Sequence, residues 1–384
     1  MNARLLALCL ILLLAAHVPA QGSSGIQLIG GCDTPGEAFS VALSGNYAYV
    51  ADGDSGLRVI SIADPAHPAE LGHCDTPGWA HGVAVSGSHT YVADYDSGLR
   101  VVSVADPAHP VEVGHFDTPG LACGVAVNGD RAYVASDTAG LRIISVADPA
   151  HPVEVGHYNT QDEACGIVVR GDTAHVASID QGYTAISAID PANPVAVGGF
   201  FMFHSRTLGG VAVSGSYAYI THDSLGLAVI SITSGQLVGH CGAYAIAGGV
   251  AVSGGYAYVA ADEAGLWVLS VADPAHPSGV AFYDAPSWWA NGVTVNAGYV
   301  YVAYGMAGLQ IFQALGGIEE NPKPQAPGCK PASTVVRHLP AGTVAFDALG
   351  RRTLRPKPGV YFVCSEPSAA SRQPSAVTKV IIAK

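Results

Sequence analysis

Histidine and aspartate are the side chains of this sequence with the widest chemical capacity, because both can bind metal ions and move protons. The chain has 15 His and a formal net charge of −13. Eight of the His recur at two fixed positions of a repeating sequence unit. The first position holds His67, His109, His151 and His276, and the second holds His73, His115, His157 and His240. Copies that belong to different repeats of a ring point away from each other, so we expect neither set to converge on one metal ion.

Two acidic segments, Asp52–Gly56 and Asp94–Gly98, resemble the opening of a calcium loop. Both lack the third acid and the downstream Glu of such a loop. A turn with Asp capping and a glycine at positive φ explains them more simply. The sequence also has no G-x-S-x-G, no H-E-x-x-H and no phosphate-binding glycine loop before a helix. We therefore assign no catalytic residue, no metal ligand and no cofactor.

The elements that must position these side chains come from a unit of about 40 residues that occurs seven times, a period typical of propeller blades. Each unit holds four short runs rich in β-branched residues and bounded by Gly, Pro, Asp and Ser, which is typical of strands. A Gly-Leu pair marks the third run and begins at Gly56, Gly98, Gly140, Gly226, Gly265 and Gly308, with Gly182-Tyr183 as an altered copy. The sequence predicts an all-β fold, a seven-bladed β-propeller over residues 21–316.

The strand count is uneven at the two ends of the repeat region. The seventh unit has three runs and then enters a proline-rich stretch. The segment Ile26–Asp33 precedes the first unit and matches the fourth run of the others, such as Ala69–Asp75. We expect the N-terminal strand to complete the last blade, which closes the ring and covers an open sheet edge.

The turn after the third run, Asp64-Pro65-Ala66-His67-Pro68, recurs in most units. With the preceding runs Leu57–Asp64 and Leu99–Asp106, it resembles the LVIVD-repeat family of bacterial surface propellers, whose unit ends in an apolar run and a D-P-x-x-P turn. The resemblance covers about three quarters of the chain. It implies a β-propeller at the cell surface and no agreed activity.

The first 20 residues are typical of a secretory signal peptide. Arg4 precedes an apolar run from Leu5 to Ala16, and Val18-Pro19-Ala20 fits a signal-peptidase site. The alternative is a membrane anchor, but a spanning helix needs about 20 apolar residues and this run is shorter. We predict export, cleavage before Gln21 and no transmembrane segment.

A proline-rich linker at residues 317–328 leads to a C-terminal module at residues 329–384. Three segments of this module, Thr343–Arg352, Pro358–Val363 and Val377–Lys384, resemble the type A sorting domain of the type IX secretion system. The resemblance implies passage across an outer membrane, then release or attachment at the surface, with the type IX machinery as a partner. The alternative is an ordinary cap on the propeller. In both cases we expect a small C-terminal β-sandwich.

Charge separates the two parts of the chain. Residues 21–318 contain six Arg, no Lys and 26 acids, whereas residues 329–384 contain nine basic and two acidic residues. Binding to nucleic acid needs a basic surface, so we expect no nucleic-acid partner for the propeller.

Seven of the eight Cys follow the predicted cleavage site, an odd number for an oxidising compartment. Cys32, Cys74 and Cys241 fall on equivalent strands of different blades and are predicted to stay unpaired. The sequence does not decide whether a disulfide forms between Cys123 and Cys165 or between Cys329 and Cys364.

The repeats differ most where the chain enters the first strand of each blade. The seven entering residues are Phe39, His81, Cys123, Cys165, Gly209, Gly248 and Asn291. In a four-stranded blade this entry shares a face with the loop between the second and third strands, so these residues should ring the mouth of the propeller. The predicted ligand-binding residues are Trp79, His81, Trp288, Trp289 and Asn291, with nearby acids Asp52, Asp94, Asp137, Asp180, Asp223 and Asp262.

Aromatic and acidic side chains at a concave mouth suit a sugar, a peptide or a cationic partner. An alternative role for Trp288 and Trp289 is to fill a gap in the seventh blade. We favour a secreted or cell-surface scaffold that binds a protein, peptide or glycan and carries out no chemistry. The alternative is an exported hydrolase or lyase with its active site at the mouth, in which His81 would pair with a carboxylate. A purely structural or adhesive role is a third reading.

Overall fold

The computed structural model describes residues 23–201, 207–222, 225–242, 248–283 and 289–315, and five strands between residues 334 and 382. The chain divides into two units, Met1–Ile318 and Glu319–Lys384. The regular elements of the described residues are β-strands. In that part of the chain no helix has the length and apolar character needed to cross a membrane.

The first unit is a seven-bladed propeller of antiparallel sheets, which confirms the predicted all-β fold class. The strands of blades 1 to 4 are β3 Ser40–Ser44, β4 Tyr47–Ala51, β5 Leu57–Ser61 and β6 Ala69–Cys74; β7 Gly82–Ser86, β8 His89–Ala93, β9 Leu99–Ser103 and β10 Val111–Phe116; β11 Gly124–Asn128, β12 Arg131–Ala135, β13 Leu141–Ser145 and β14 Val153–Tyr158; and β15 Ala164–Arg170, β16 Thr173–Ser178, β17 Gly182–Ser187 and β18 Val195–Phe201.

Blades 5 to 7 follow the same order, and the N-terminal strands join the last two of them. Their strands are β19 Thr207–Ser214, β20 Tyr217–His222, β21 Gly226–Ser231 and β22 Leu237–Cys241; β23 Val250–Ser253, β24 Tyr256–Ala260, β25 Leu266–Ser270, β26 Ser278–Tyr283 and β1 Ser23–Ser24; and β27 Gly292–Asn296, β28 Tyr299–Ala303, β29 Leu309–Gln313 and β2 Leu28–Cys32. β2 runs antiparallel to β29, with Leu28 opposite Phe312 and Cys32 opposite Leu309. The repeat pattern does not predict the additional pairing of β1 with β26.

The hydrophobic core consists of seven clusters of described residues, each lying between two neighbouring blades. The cluster between blades 7 and 1 brings Tyr301, Leu309 and Ile311 against Val41 and Ile60. The first strand β27 of the last blade also contacts the first strand β3 of the first blade. The seven sheets therefore form a complete ring in which each blade buries its faces against both neighbours.

The repeated Gly-Leu pair has a backbone cause. Gly56 adopts a φ of 71°, and a Cβ at this position would lie 2.5 Å from the carbonyl oxygen of Cys74. A side chain would be strained by the dihedral and excluded by the contact, so the turn requires glycine. The Leu that follows is fully buried. The pair thus marks the point where each third strand enters the core.

The Asp-Pro turns of blades 1 to 4 and of blade 6 lie between the third and fourth strands. In the first of these turns Asp64 accepts hydrogen bonds from the Ala66 backbone N–H at 3.1 Å and from His67 Nδ1 at 2.9 Å. The recurring His side chain therefore closes its own turn, and the copies in the other blades do the same. The carbonyls of the turn press against a glycine of the preceding fourth strand, since a Cβ on Gly72 would lie 2.5 Å from the carbonyl oxygen of Ala108.

The second unit contains a five-stranded sheet. Its strands are β30 Thr334–Val336, β31 Thr343–Phe346, β32 Arg352–Thr353, β33 Gly359–Ser365 and β34 Thr378–Ile382, in the order β30-β34-β33-β31-β32. The edge strand β30 runs parallel to β34 and the other neighbours are antiparallel. The predicted signal peptide and linker, residues 1–20 and 317–328, lie outside the described residues.

Candidate functional site at the propeller mouth

Backbone bridges between neighbouring blades define one face of the ring. Gly53, in the loop between the second and third strands of blade 1, exchanges backbone hydrogen bonds with Ala80, in the entry to blade 2. The same bridge occurs at Tyr95 with Ala122, Asp137 with Ala164, Asp262 with Ala290, and Gly305 with Ala38. Each bridge brings an entry residue of one blade beside the loop of the blade before it, which is the arrangement expected for the mouth.

The seven entry residues named from the sequence line one cavity. Its volume is about 310 Å³, and all seven blades contribute residues to it. One side carries the large rings of Phe39 and His81, and the other side carries Gly209 and Gly248. The opening is therefore asymmetric, with an aromatic half and a half where backbone is exposed.

His81 is held by the neighbouring blade. Its Nδ1 lies 2.7 Å from the carbonyl oxygen of Cys123, and its ring stacks on Phe39 with a centroid distance of 4.9 Å. Burial lowers the pKa of His81 below its usual range, so the imidazole is neutral at pH 7. Because the carbonyl can only accept, Nδ1 carries the proton and Nε2 is the acceptor.

The described residues that line the cavity include no carboxylate to pair with His81. Two buried acids named from the sequence serve the framework instead. Asp52 accepts hydrogen bonds from Thr34 Oγ1 at 2.5 Å and from the Gly36 N–H at 2.9 Å, and its Oδ2 lies 3.6 Å from Arg58 Nε. Burial raises the pKa of Asp52. Asp94 repeats this arrangement in blade 2.

The two thiols of the mouth are free cysteines. Burial raises the pKa of Cys123 and of Cys165 to about 12, so both are protonated at neutral pH. Only a thiolate is a strong nucleophile. Cys32, Cys74 and Cys241 are also free, as their placement on different blades predicts.

Asn291, the entry residue of blade 7, spans the seam to blade 1. Its Nδ2 donates to the carbonyl oxygen of Ala38 at 2.9 Å. The hydrogen bond from His81 to Cys123 has the same form. Two of the predicted site residues therefore hold neighbouring blades together at the edge of the cavity.

Of the three tryptophans predicted at the mouth, one lies against a loop, one is open to solvent, and one lies outside the described residues. Trp79 packs its ring over Gly53 and meets Phe39 edge-on at 6.0 Å, yet remains 39% exposed. Trp289 occupies the same offset in blade 7 and is 51% exposed. Trp288 lies outside the described part of the chain, as does Asp223.

Sequence reasoning missed two residues of the mouth, Glu37 and Tyr95. Glu37 stands at the offset of Trp79 and Trp289, in the blade between theirs, and burial raises its pKa. Tyr95 has a φ of 52°, is exposed, and lies 6.2 Å from the His81 ring. A comparison of the residue that stands two positions before the entry residue in each blade would have found Glu37. No sequence feature predicts the backbone bridge at Tyr95 or the exposure of its side chain.

Comparisons with known proteins agree with this architecture. The family model described as LVIVD repeat matches residues 35–76, 77–118, 119–160, 206–235 and 245–285, about half of the chain. No curated protein matches. The WD40 β-propeller domain of Doa1 superposes with a TM-score of 0.62 at 13% identity, covering 76% of this chain and 97% of that one.

Two further solved structures are similar. BamB from Moraxella catarrhalis gives a TM-score of 0.56 at 12% identity, covering 77% of this chain and 99% of its own. The computationally designed Ika8 protein gives 0.56 at 9% identity, covering 75% and 100%. At these identities the likeness concerns the fold alone.

Proposed function

The chain belongs to the LVIVD-repeat family, and we propose that it is an exported scaffold that binds a protein, peptide or glycan partner at the propeller mouth. The residues that repeat from blade to blade pack the sheets together and do not determine which partner is bound. Specific binding needs residues that differ between the blades and whose side chains lie close together. Among the described residues, the mouth meets both conditions.

The observation that carries the proposal is the exposed aromatic surface over blades 7, 1 and 2. Trp79, Tyr95 and Trp289 are all exposed on the same face, and Trp79 is braced by Phe39. Rigid aromatic side chains bury much area at a small cost in conformational entropy, which makes them energetic anchors in interfaces.

The electrostatics of the mouth favour a partner with a basic or neutral contact group. Glu37 occupies in blade 1 the position that Trp289 and Trp79 occupy in blades 7 and 2. Asp137 and Asp262 lie at two of the backbone bridges of the same face. The propeller region has 26 acids and six Arg, so a negative potential extends beyond the mouth and would speed the approach of a basic partner.

The protonation states at the mouth support the part of the proposal that assigns no catalytic activity to it. His81 is neutral and its Nδ1 is engaged by a carbonyl. The thiols of Cys123 and Cys165 stay protonated. A general acid–base pair needs a second titratable group within hydrogen-bond reach of the first, and the described lining of the cavity offers His81 none.

We also propose that β2 closes the ring in the manner of a fourth strand. Gly30 of β2 lies against the Asp-Pro turn of blade 1, where a Cβ would be 2.4 Å from the carbonyl oxygen of Pro65. Gly72 and Gly114 make the corresponding contact with the turns of blades 2 and 3. The N-terminal strand thus carries the same glycine at the same contact as strands that belong to their own blade.

Export to the cell surface is the remaining part of the proposal. It rests on the signal-peptide features of residues 1–20 and on the resemblance of residues 329–384 to the type A sorting domain of the type IX secretion system. The three segments that carry this resemblance each overlap a strand of the C-terminal sheet, β31, β33 and β34. The type IX machinery is the proposed export partner.

An array of immobilised peptides and glycans, probed with the full chain, tests the binding role. We expect selective capture that is lost in the double variant Trp79→Ala/Trp289→Ala. A chain that captures nothing on either set, or a double variant that captures the same ligands as the parent, would overturn the assignment of the mouth.

A further inference from the structure

Blade 4 contains a second cavity at a position that charged side chains occupy in blades 1 to 3. In those blades an Arg on the third strand, and a Glu and a His on the fourth, form one charged cluster. Arg142 Nη1 lies 3.4 Å from Glu154 Oε1, and His157 Nδ1 lies 3.0 Å from the same oxygen. The clusters of blades 1 and 2 have the same contacts.

Blade 4 replaces all three members of this cluster with small residues. The strand register pairs Arg142 with His157 in blade 3 and pairs Thr184 with Gly199 in blade 4. Ala196 stands opposite Ile186, as Glu154 stands opposite Ile144. Thr184, Ala196 and Gly199 all line a cavity of about 350 Å³. The removed side chains have left an open space.

The walls of this cavity are polar, uncharged and aromatic. Besides the three small residues, the described lining comprises Tyr158, Asn159, Thr160, Gln161, Gln181, Gly198 and Phe201. None of these residues is charged, although an ion-pair cluster occupies the corresponding position in three other blades. Phe201 is 58% exposed and supplies an accessible ring face.

Internal hydrogen bonds hold the amide groups in place. Asn159 Oδ1 accepts from the Gln161 N–H at 2.8 Å, and Gln181 Nε2 donates to the Gln161 carbonyl at 3.4 Å. The Gln181 N–H is fixed in turn by Asp162 Oδ2 at 2.9 Å. Within the described residues, Asn159 Nδ2 and Gln181 Oε1 have no protein partner. One preoriented donor and one preoriented acceptor are therefore available at the same rim.

We propose that this cavity, hereafter the blade 4 pocket, binds a neutral saccharide. Hydroxyl groups both donate and accept, which matches amide groups that offer one of each. The apolar C–H face of a sugar ring packs on an aromatic side chain. Pockets for small ligands range over roughly 300–1,000 Å³, so the blade 4 pocket suits a mono- or disaccharide unit. It shares no lining residue with the cavity of the mouth.

The test uses the full chain on an array of neutral, sialylated and sulfated oligosaccharides, followed by calorimetric titration with the neutral saccharide that gives the strongest signal. The key variant is Thr184→Arg/Ala196→Glu/Gly199→His, which rebuilds the cluster of blades 1 to 3 and fills the pocket. We expect it to weaken binding by at least about tenfold, the effect of losing about 1.4 kcal/mol of contacts. The matched control is Val197→Glu, which adds a carboxylate on the same strand at an exposed residue outside the pocket lining, and it should bind as the parent does.

The proposal is overturned if the parent binds no neutral saccharide, if it binds only charged ones, or if the triple variant and the parent bind with equal affinity. Should the triple variant fail to fold, the single variants Asn159→Ala and Gln181→Ala take its place, because each removes one amide and leaves the strands unchanged. Each is expected to weaken binding by about tenfold. Unchanged affinity in both would equally overturn the proposal.

Discussion

The substitution Gly30→Ala tests whether β2 is docked as the fourth strand of blade 7. A Cβ on Gly30 would lie 2.4 Å from the carbonyl oxygen of Pro65 and 2.8 Å from that of Ala66. Both atoms belong to the backbone of a hydrogen-bonded turn and cannot move aside as the end of a side chain can. Overpacking of this kind costs about 1–3 kcal/mol, so we expect the free energy of unfolding to fall by that amount.

The neighbouring glycine provides a matched control. A Cβ on Gly31 would meet only the amide end of the Gln310 side chain, at 2.7 Å, and that end can shift at the cost of its hydrogen bond from Nε2 to the Ala307 carbonyl oxygen. Gly31→Ala should therefore lower the free energy of unfolding by no more than about 1 kcal/mol. Urea denaturation of the parent and the two variants, followed by fluorescence, measures the difference. Equal midpoints for Gly30→Ala and Gly31→Ala would refute the docking of β2.

Three further predictions concern the framework and export. Asp52→Ala removes the carboxylate to which Thr34 and Gly36 donate and leaves Arg58 paired only with Glu70 and Asp75, so it should cost about 3 kcal/mol in urea denaturation. Asp54→Ala, at an exposed residue of the same loop, should cost almost nothing, and equal effects would contradict the role of Asp52. Burial lowers the pKa of His175 to about 4, so the unfolded chain takes up a proton that the folded blade does not, and this group should lower the stability by on the order of 2 kcal/mol as the pH drops from 6.5 to 4. His175→Tyr/Tyr183→Leu, which restores the pair found in blade 3, should reduce the pH dependence by that amount and leave the part that His81 contributes; an unchanged pH dependence would contradict the role of His175. Removal of residues 329–384 should leave a folded propeller in the periplasm of a type IX-secreting cell, detected by fractionation, and its appearance at the cell surface would contradict the sorting role.

The ring and its mouth could be predicted from the sequence because the recurring residues mark the strands and turns of every blade. Each blade must bury two faces and turn at the same points, so the Gly-Leu pair and the Asp-Pro turn recur and set the strand positions. The entry residues could be named because they are the residues before a recognisable first strand. All seven line the central cavity.

The use of individual side chains could not be derived in the same way. Asp52 looks like any turn acid, and its burial depends on how Thr34 and Arg58 fold over it. The sequence predicts Asn291 as a ligand contact, but whether it also binds the next blade depends on the position of the Ala38 carbonyl. The loss of the charged cluster in blade 4 is visible in the sequence, but only the packing decides whether small residues leave a cavity or collapse into it.

The central claim is that the exposed aromatic side chains of the mouth capture the partner and do not hold the fold together. The most direct measurement compares ligand capture and urea midpoint for Trp79→Ala/Trp289→Ala with those for His67→Ala/His109→Ala, which changes only exposed Asp-Pro turns between the third and fourth strands. We predict that the tryptophan variant keeps a midpoint close to that of the parent and loses capture, while the histidine variant keeps both. A tryptophan variant that unfolds, or that still captures the partner, would contradict the claim.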